Sequence, residues 1–413
     1  MKRNTMKTRG GLGVCMLSLA LILSACGGGG GSTPTGGGGG STPTVLGSVI
    51  LATQNSTGAT QLSAFPYGTN GTIASGTPTA TYTIPTGSAC SGSAPFDAGY
   101  DHTNHLLFVY VNPTTSTTSV CSFAVNPLTG ALTAAGSLTN VTGTHAEVDR
   151  TDDYVMVDQS GTPNFYAYTS AGVISTSATP LGVTVPSGDS IMDGDLLHRF
   201  VWYGPTGGTS VSGGDVFNPG FTQKSPISTT VSNYPVNSSF NDEQNGIVFG
   251  GGYPSSGCST TPTTLSLLSY TTTTGIFTTT SNSGVSIGAC TQVIGQHNKV
   301  DSVYDMLFVS GGSGSITPYQ FSVSTLVLTP LPSVTATGDF SGTERVDYTN
   351  HILFAATAAS GSNSVAGLSA YAYSTSGLVA QPSSVPLQLG TYTVAPTCSS
   401  GVQCAPLIFS VVY

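Results

Sequence analysis

Charge is what this chain has least of. Only 7% of its 413 residues are Asp, Glu, Lys or Arg, and it holds a single tryptophan. Bases are the scarcer sign, nine against 18 acids. Four of them, Lys2, Arg3, Lys7 and Arg9, sit at the N-terminus. Arg150, Arg199, Lys224, Lys299 and Arg345 are left to face all 18 acids. Such a surface repels phosphate backbones, so no nucleic-acid partner is expected. No long stretch after residue 26 has helical periodicity, which points away from a helical fold. Zinc-type Cys/His spacing and a phosphate-cradling Gly-Lys-Ser/Thr are also missing. Asp149, Asp152 and Asp153 put three carboxylates within five residues, but without EF-hand spacing or its glycine. No metal and no cofactor are expected.

What is present begins with an address. A basic start and an apolar stretch at 12–23 end in Leu23-Ser24-Ala25-Cys26, the layout of an export signal with a small-residue cleavage site. The cysteine directly after that site resembles the bacterial lipobox. The resemblance implies cleavage after residue 25 and a diacylglycerol on Cys26, hence a membrane partner through lipid. Gly27 in place of Asp implies the outer membrane, if the cell is Gram-negative. The sequence GGGGGSTPT then occurs twice, at 27–35 and 36–44. Those 18 residues form a tether spanning about 23 Å root-mean-square. The expected organisation is a signal at 1–25, a lipidated cysteine and linker at 26–45, and one domain at 46–413.

That domain is periodic. Asp101, Asp149, Asp193, Asp242, Asp301 and Asp347 recur at gaps of 48, 44, 49, 59 and 46 residues. Several are followed by an apolar run: LLFVYV after Asp101, YVMV after Asp149, GIVFGGG after Asp242 and ILFAAT after Asp347. A period near 50 built from short strands predicts an all-β radial repeat, the β-propeller. A second marker is a tight turn at glycine, seen at Gly71, Gly130, Gly172, Gly220, Gly275 and Gly377, with a glycine-free copy at 324–329. Seven hairpins against six Asp turns is what a closed ring requires, because one blade is completed by both chain ends. The chain enters that blade at its second strand, near 49–53, and the segment 405–413 supplies the inner one. The expectation is a monomeric seven-bladed propeller without exposed edges. Each Asp is expected to fix its corner by accepting bonds from amides two residues on.

The unit Phe123-Ala-Val-Asn-Pro-Leu-Thr-Gly130-Ala-Leu-Thr, preceded by Tyr100-Asp101 and Leu106-Leu-Phe-Val-Tyr, resembles the repeat of lactonase-type seven-bladed propellers. That group includes 6-phosphogluconolactonases and carboxymuconate cyclases. The resemblance covers roughly 46–413 as a repeat pattern and implies the fold. It carries over no catalytic residue, and the family's Asp-Pro-x-Gly turn is absent here. As an activity it implies, at most, a hydrolase or isomerase acting on a lactone or carboxylate at the central channel.

Six cysteines lie in the domain at 46–413, an even number in an exported chain. The register predicts Cys90–Cys121, Cys258–Cys290 and Cys398–Cys404, all in or beside loops of one face.

Chemistry is sought on the strand before each Asp turn, expected to line the channel. The residues two and four positions upstream collect Asp97, Glu147, Asp189, His145, His297, Lys299 and Arg345. Glu147, His145 and His297 are candidate acids or bases. Lys299 and Arg345 could hold a carboxylate or an oxyanion. Asp97, Asp189 and Arg345 are the candidate ligand contacts. The alternative is that these groups pair with one another. The lone Gly-x-Ser-x-Gly, at 284–288, lies between β-segments and not on a strand-to-helix elbow. These features predict a tethered binding or scaffold module, for a small molecule or a protein at the propeller face, with the lactonase-like reaction as the alternative.

Overall fold

The computed structural model describes residues 44–413 apart from 55–58, 74–76, 92–94, 115, 144, 150, 160–161, 180–184, 206–209, 233–238, 252–263, 279–284, 287–290, 293–299, 312–314, 336–339, 358–366, 380–386 and 389–407. It is a seven-bladed β-propeller. Blade 2 shows the unit in full: Pro95–Asp101 innermost, then Leu106–Thr114, Thr117–Val125 and Leu132–Thr142, paired antiparallel in chain order. The inner strands of blades 3 to 7 are His145–Asp149, Asp189–Asp195, Ser239–Asp242, Val300–Asp301 and Phe340–Asp347.

Blade 1 is shared by the chain ends. Gly47–Gln54 pairs Thr60–Tyr67 on one side and Ile408–Val412 on the other, with Val49 opposite Val411. The closing strand is therefore the innermost one, as the count of turns predicts. It leaves the ring no free edge at this point.

The core is divided among the seams between blades. Seven hydrophobic clusters are described, one for each pair of neighbours. Val49, Phe65, Phe354 and Val411 close blade 7 on blade 1, and Phe108, Val148, Val155 and Tyr168 join blades 2 and 3. The seam of blades 3 and 4 holds Met156, Phe165, Val201, Phe217 and Phe221. Each such buried side chain contributes about 1.5–3 kcal/mol, so no single centre dominates the fold.

Both sequence rulers mark real corners. All six turn glycines have positive φ. Gly275 shows why glycine is needed: a Cβ there would stand 2.7 Å from Ile227 and 3.0 Å from Phe200 of blade 4. Its carbonyl accepts the indole N–H of Trp202 at 2.8 Å. In blade 6 the glycine-free copy puts Leu326 in the same conformation, at φ 53°.

The Asp ruler needs one correction. In blade 4 the corner is Asp195, not Asp193: it pairs Phe200 five residues on, as Asp149 pairs Tyr154 and Asp347 pairs Ile352. A bulge between Ile191 and Asp193 shifts the register upstream of it. Asp189 therefore lies six residues before its corner, at the far end of the inner strand.

Cys90 and Cys121 stand at disulfide geometry, Cα atoms 6.2 Å apart. Cys121 is not beside a loop but in mid-strand, opposite Val109 and Ser137. Alternation on the strand turns its side chain into the seam of blades 1 and 2, where Cys90 is also buried. Cys26, Cys258, Cys290, Cys398 and Cys404 lie outside the described residues.

Candidate functional site

The corner aspartates share one role. Asp101 Oδ1 accepts the amides of Thr103 and Asn104 at 2.8 and 3.2 Å, and Asp149, Asp301 and Asp347 hold the same pair of amides in their own turns. The second oxygen differs from blade to blade. A tyrosine on the third strand of the next blade usually donates to it: Tyr168 to Asp101 at 3.0 Å, Tyr270 to Asp195 at 2.7 Å, Tyr373 to Asp301 at 2.6 Å, and Tyr67 to Asp347 at 2.6 Å. Asn104 and Asn350 add a donor from the turn itself. Asp242 has no tyrosine partner, since Phe321 occupies that place, but Asn245 and Ser302 bond it at 2.7 and 2.6 Å.

Asp149 is the exception. It is 1% exposed, and its Oδ2 has no hydrogen-bond partner. Both usual donors are missing. The place of the tyrosine is filled by Phe217, whose amide bonds the Arg199 carbonyl just as Tyr168 bonds Asp153 and Tyr373 bonds His351. The place of the turn asparagine is filled by Asp152, which is held by Arg199 through Nη2–Oδ1 at 2.9 Å and a second contact from Nε. Burial, and then the negative charge of Asp152, push the Asp149 carboxyl up to about 7, against the Thr151 and Asp152 amides and Arg199.

Asp149 borders a cavity of about 280 Å³ that opens on the face carrying the Asp turns. Glu147, Leu196, Leu197, Asn241, Glu243, Val303 and Tyr348 are among its walls, so five blades contribute. The space has a local cause. The blades stand radially, so inner-strand side chains point alternately at the preceding and following blade. A residue two before a corner faces a residue one before the next corner. Gly99 thus meets Val148, and Asp193 accepts from Asn241 Nδ2 at 3.1 Å. Glu147 and Gly194 hold the same two places in blades 3 and 4, and glycine brings no side chain to that seam. Asn241 is 5% exposed, and its Oδ1 also lacks a partner. Leu196 N–H donates to Glu243 Oε1 at 2.8 Å.

The sequence candidates are therefore scattered. Glu147 lines this mouth. His145 is in the inner strand opposite Asp158, its side chain outside the described residues. His297 and Lys299 fall outside them altogether. Arg345 is 4% exposed and donates to Asp97 at 3.3 Å and to the Glu344 carbonyl at 2.9 Å. That pair links blades 7 and 2 past the closing strand of blade 1. Asp189 accepts from Ser212 Oγ at 2.6 Å. The three acids 149, 152 and 153 turn to separate partners, Asp153 taking the Asn104 amide at 3.1 Å. Val285–Ser286 of the Gly-x-Ser-x-Gly motif is the outer strand of blade 5. A second cavity, about 800 Å³ between blades 1 and 2, is walled by Tyr82, Ile84, Cys121 and Phe123 and carries no charged side chain. The site residues that sequence reasoning missed are Asp149 and Asn241. Their signal was Phe217 at a position where four blades carry tyrosine.

No family model and no curated protein matches the chain. Solved structures do. A proposed 6-phosphogluconolactonase from Bacteroides fragilis is 10% identical, with 89% of this chain and 98% of that one aligned at a TM-score of 0.55. One from Bacteroides uniformis is 11% identical, covering 88% and 99% at 0.56. The periplasmic gluconolactonase of Pseudomonas aeruginosa is 11% identical, covering 81% and 94% at 0.55. At these identities the likeness is one of fold.

Proposed function

We propose that the protein is an exported propeller lipoprotein, anchored through Cys26, that captures a small polar ligand at the channel mouth bordered by Asp149. The observation that carries the ligand site is the unpartnered Asp149 Oδ2 at the edge of a cavity. Buried polar atoms are nearly always bonded, and one left open beside a void is a place where a ligand can supply the missing bond. The test is a thermal-shift screen of the full chain against sugars, lactones, carboxylates and amines. A ligand that raises the midpoint for the wild type and not for Asp149→Asn supports the reading. No shift with any class contradicts it. Anchoring is tested separately: radiolabelled palmitate is expected to label the wild type and not Cys26→Ser. A periplasmic protein of this fold among the similar structures supports an extracytoplasmic address, and Gly27 supports the outer membrane.

A second reading is hydrolysis or isomerisation of a lactone. The names of the similar structures favour it, and so does a carboxyl whose pKa near 7 suits it to take a proton from water. Glu147, Asp149 and Glu243 count against a phosphorylated or carboxylated substrate, since like charge at close range raises the cost of binding. Release of acid from glucono-lactone, lost in Asp149→Asn, would establish this reading. A rate equal to that of buffer would remove it.

A further inference from the structure

We infer that the channel mouth bordered by Asp149 recognises a small organic cation, an ammonium group carried on an apolar body. The inference rests on the mouth being a ligand site, and it names the class of ligand. Two of its wall residues carry buried acceptor atoms. Asp149 Oδ2 and Asn241 Oδ1 are both buried and both without a partner. A ligand that satisfies them must bring hydrogen-bond donors. Glu147 and Glu243 add acid to the walls, and among the described lining residues there is no Lys, Arg or His. Among the described residues, the Arg199 guanidinium that acts on Asp149 is occupied by Asp152. An anion entering here meets three carboxyl groups. A neutral polyol satisfies the acceptors but leaves their charge in place. An ammonium does both.

The rim suits the rest of such a molecule. Leu197 is 39% and Val303 65% exposed, and both border the cavity beside Tyr348. They offer apolar contact to a short chain or ring, and the tyrosine adds an aromatic ring to the same rim. The volume, about 280 Å³, is at the lower end of small-molecule sites. It fits an arylalkylamine better than an oligosaccharide.

Binding of this kind is coupled to a proton on Asp149. Among the described residues, the titratable and charged groups around that carboxyl are Asp152, Arg199, Tyr154 and Tyr168, with Glu147 and Glu243 in the mouth. An ammonium bonded to Asp149 holds it ionised. Below pH 7 binding therefore expels a proton. Affinity rises up to about tenfold per pH unit between pH 5 and 7 and levels off above.

The experiment is isothermal titration of the full chain with 2-phenylethylamine at pH 5.5, 7.0 and 8.5, in buffers of different ionisation heat. The expected result is tighter binding at higher pH, with proton release at pH 5.5. Two variants are expected to lose at least tenfold in affinity at pH 8.5. Asp149→Asn removes the charge. Phe217→Tyr hands Oδ2 the donor that other blades supply, and its unfolding midpoint is expected to be at or above that of the wild type. Affinity that does not change with pH, or survives both variants, overturns the inference. Binding of gluconate or glucose without the amine overturns the cation assignment and leaves the ligand site standing. Binding of none of the three overturns both.

Discussion

The seam between blades 2 and 3 and the seam between blades 3 and 4 are built from the same parts and end differently. In the first, Tyr168 reaches back to Asp101, Asn104 donates to the same carboxyl, and Val148 fills the space beside Gly99. In the second, Phe217 stands for the tyrosine, Asp152 for the asparagine and Gly194 for the valine. The turn glycines repeat the contrast. A Cβ on Gly172 would strike Ala135 at 2.7 Å, while one on Gly220 would meet only the Tyr154 hydroxyl, at 3.9 Å. Three independent substitutions at one seam remove a donor, a second donor and a filler. The comparison teaches that a repeat fold can make a site by subtraction: the corner carboxylate is kept, and the groups that elsewhere consume it are deleted.

The largest expected effect concerns pH. Asp149 is raised above its unfolded value, so the folded state binds the extra proton. Its contribution to stability is fully present below about pH 4 and is lost as pH rises through about 7. The change between pH 4 and 8 is on the order of 4 kcal/mol. Urea unfolding from pH 4 to 8 should show this loss in the wild type and a flatter profile in Asp149→Asn.

A clasped seam should be convertible into an open one. Tyr373→Phe strips a donor from Asp301, which is fully buried, and is expected to cost about 2–3 kcal/mol. His351, which also touches that carboxyl at 3.2 Å, sets the lower bound. The closing blade supplies a third kind of seam. Arg345→Ala leaves Asp97 without its partner across the blade 1 strand and is expected to cost roughly 2 kcal/mol, less than a fully buried pair because Asp97 is partly exposed. The reverse change, Phe217→Tyr, should close the open seam and add about 1 kcal/mol near neutral pH. Equal effects of Tyr373→Phe and a Tyr82→Phe control, at a half-buried tyrosine that bonds no corner aspartate, would dissolve the distinction between seams.

Much of the fold was legible in the sequence because its signals repeat. Six glycines forced to positive φ and a carboxylate at each corner count the blades, and the excess of hairpins over Asp turns locates the closure. Asp193 was mistaken for Asp195 because two aspartates on the same face of one strand fit the spacing equally, and a bulge hides the shift. The channel was misjudged for a geometric reason. Strand alternation sorts side chains between two faces, but in radial blades both faces are seams, so neither phase belongs to the channel alone. Arg345 and Asp97 shared a phase and proved to be partners. Asp149 was read as one corner among six, and its difference lies in what Phe217 and Gly194 lack, which shows only when blades are laid over one another.

The most direct test of this account is the stability difference between Phe217→Tyr and the wild type, measured by urea unfolding from pH 5 to pH 8. A new hydroxyl bonded to Asp149 favours the ionised carboxyl and lowers its pKa. The variant's advantage is therefore predicted to be small at pH 5, to grow through pH 7 and to level off above it. A difference that stays constant with pH, or that shrinks as pH rises, would contradict the claim that a missing tyrosine leaves Asp149 open.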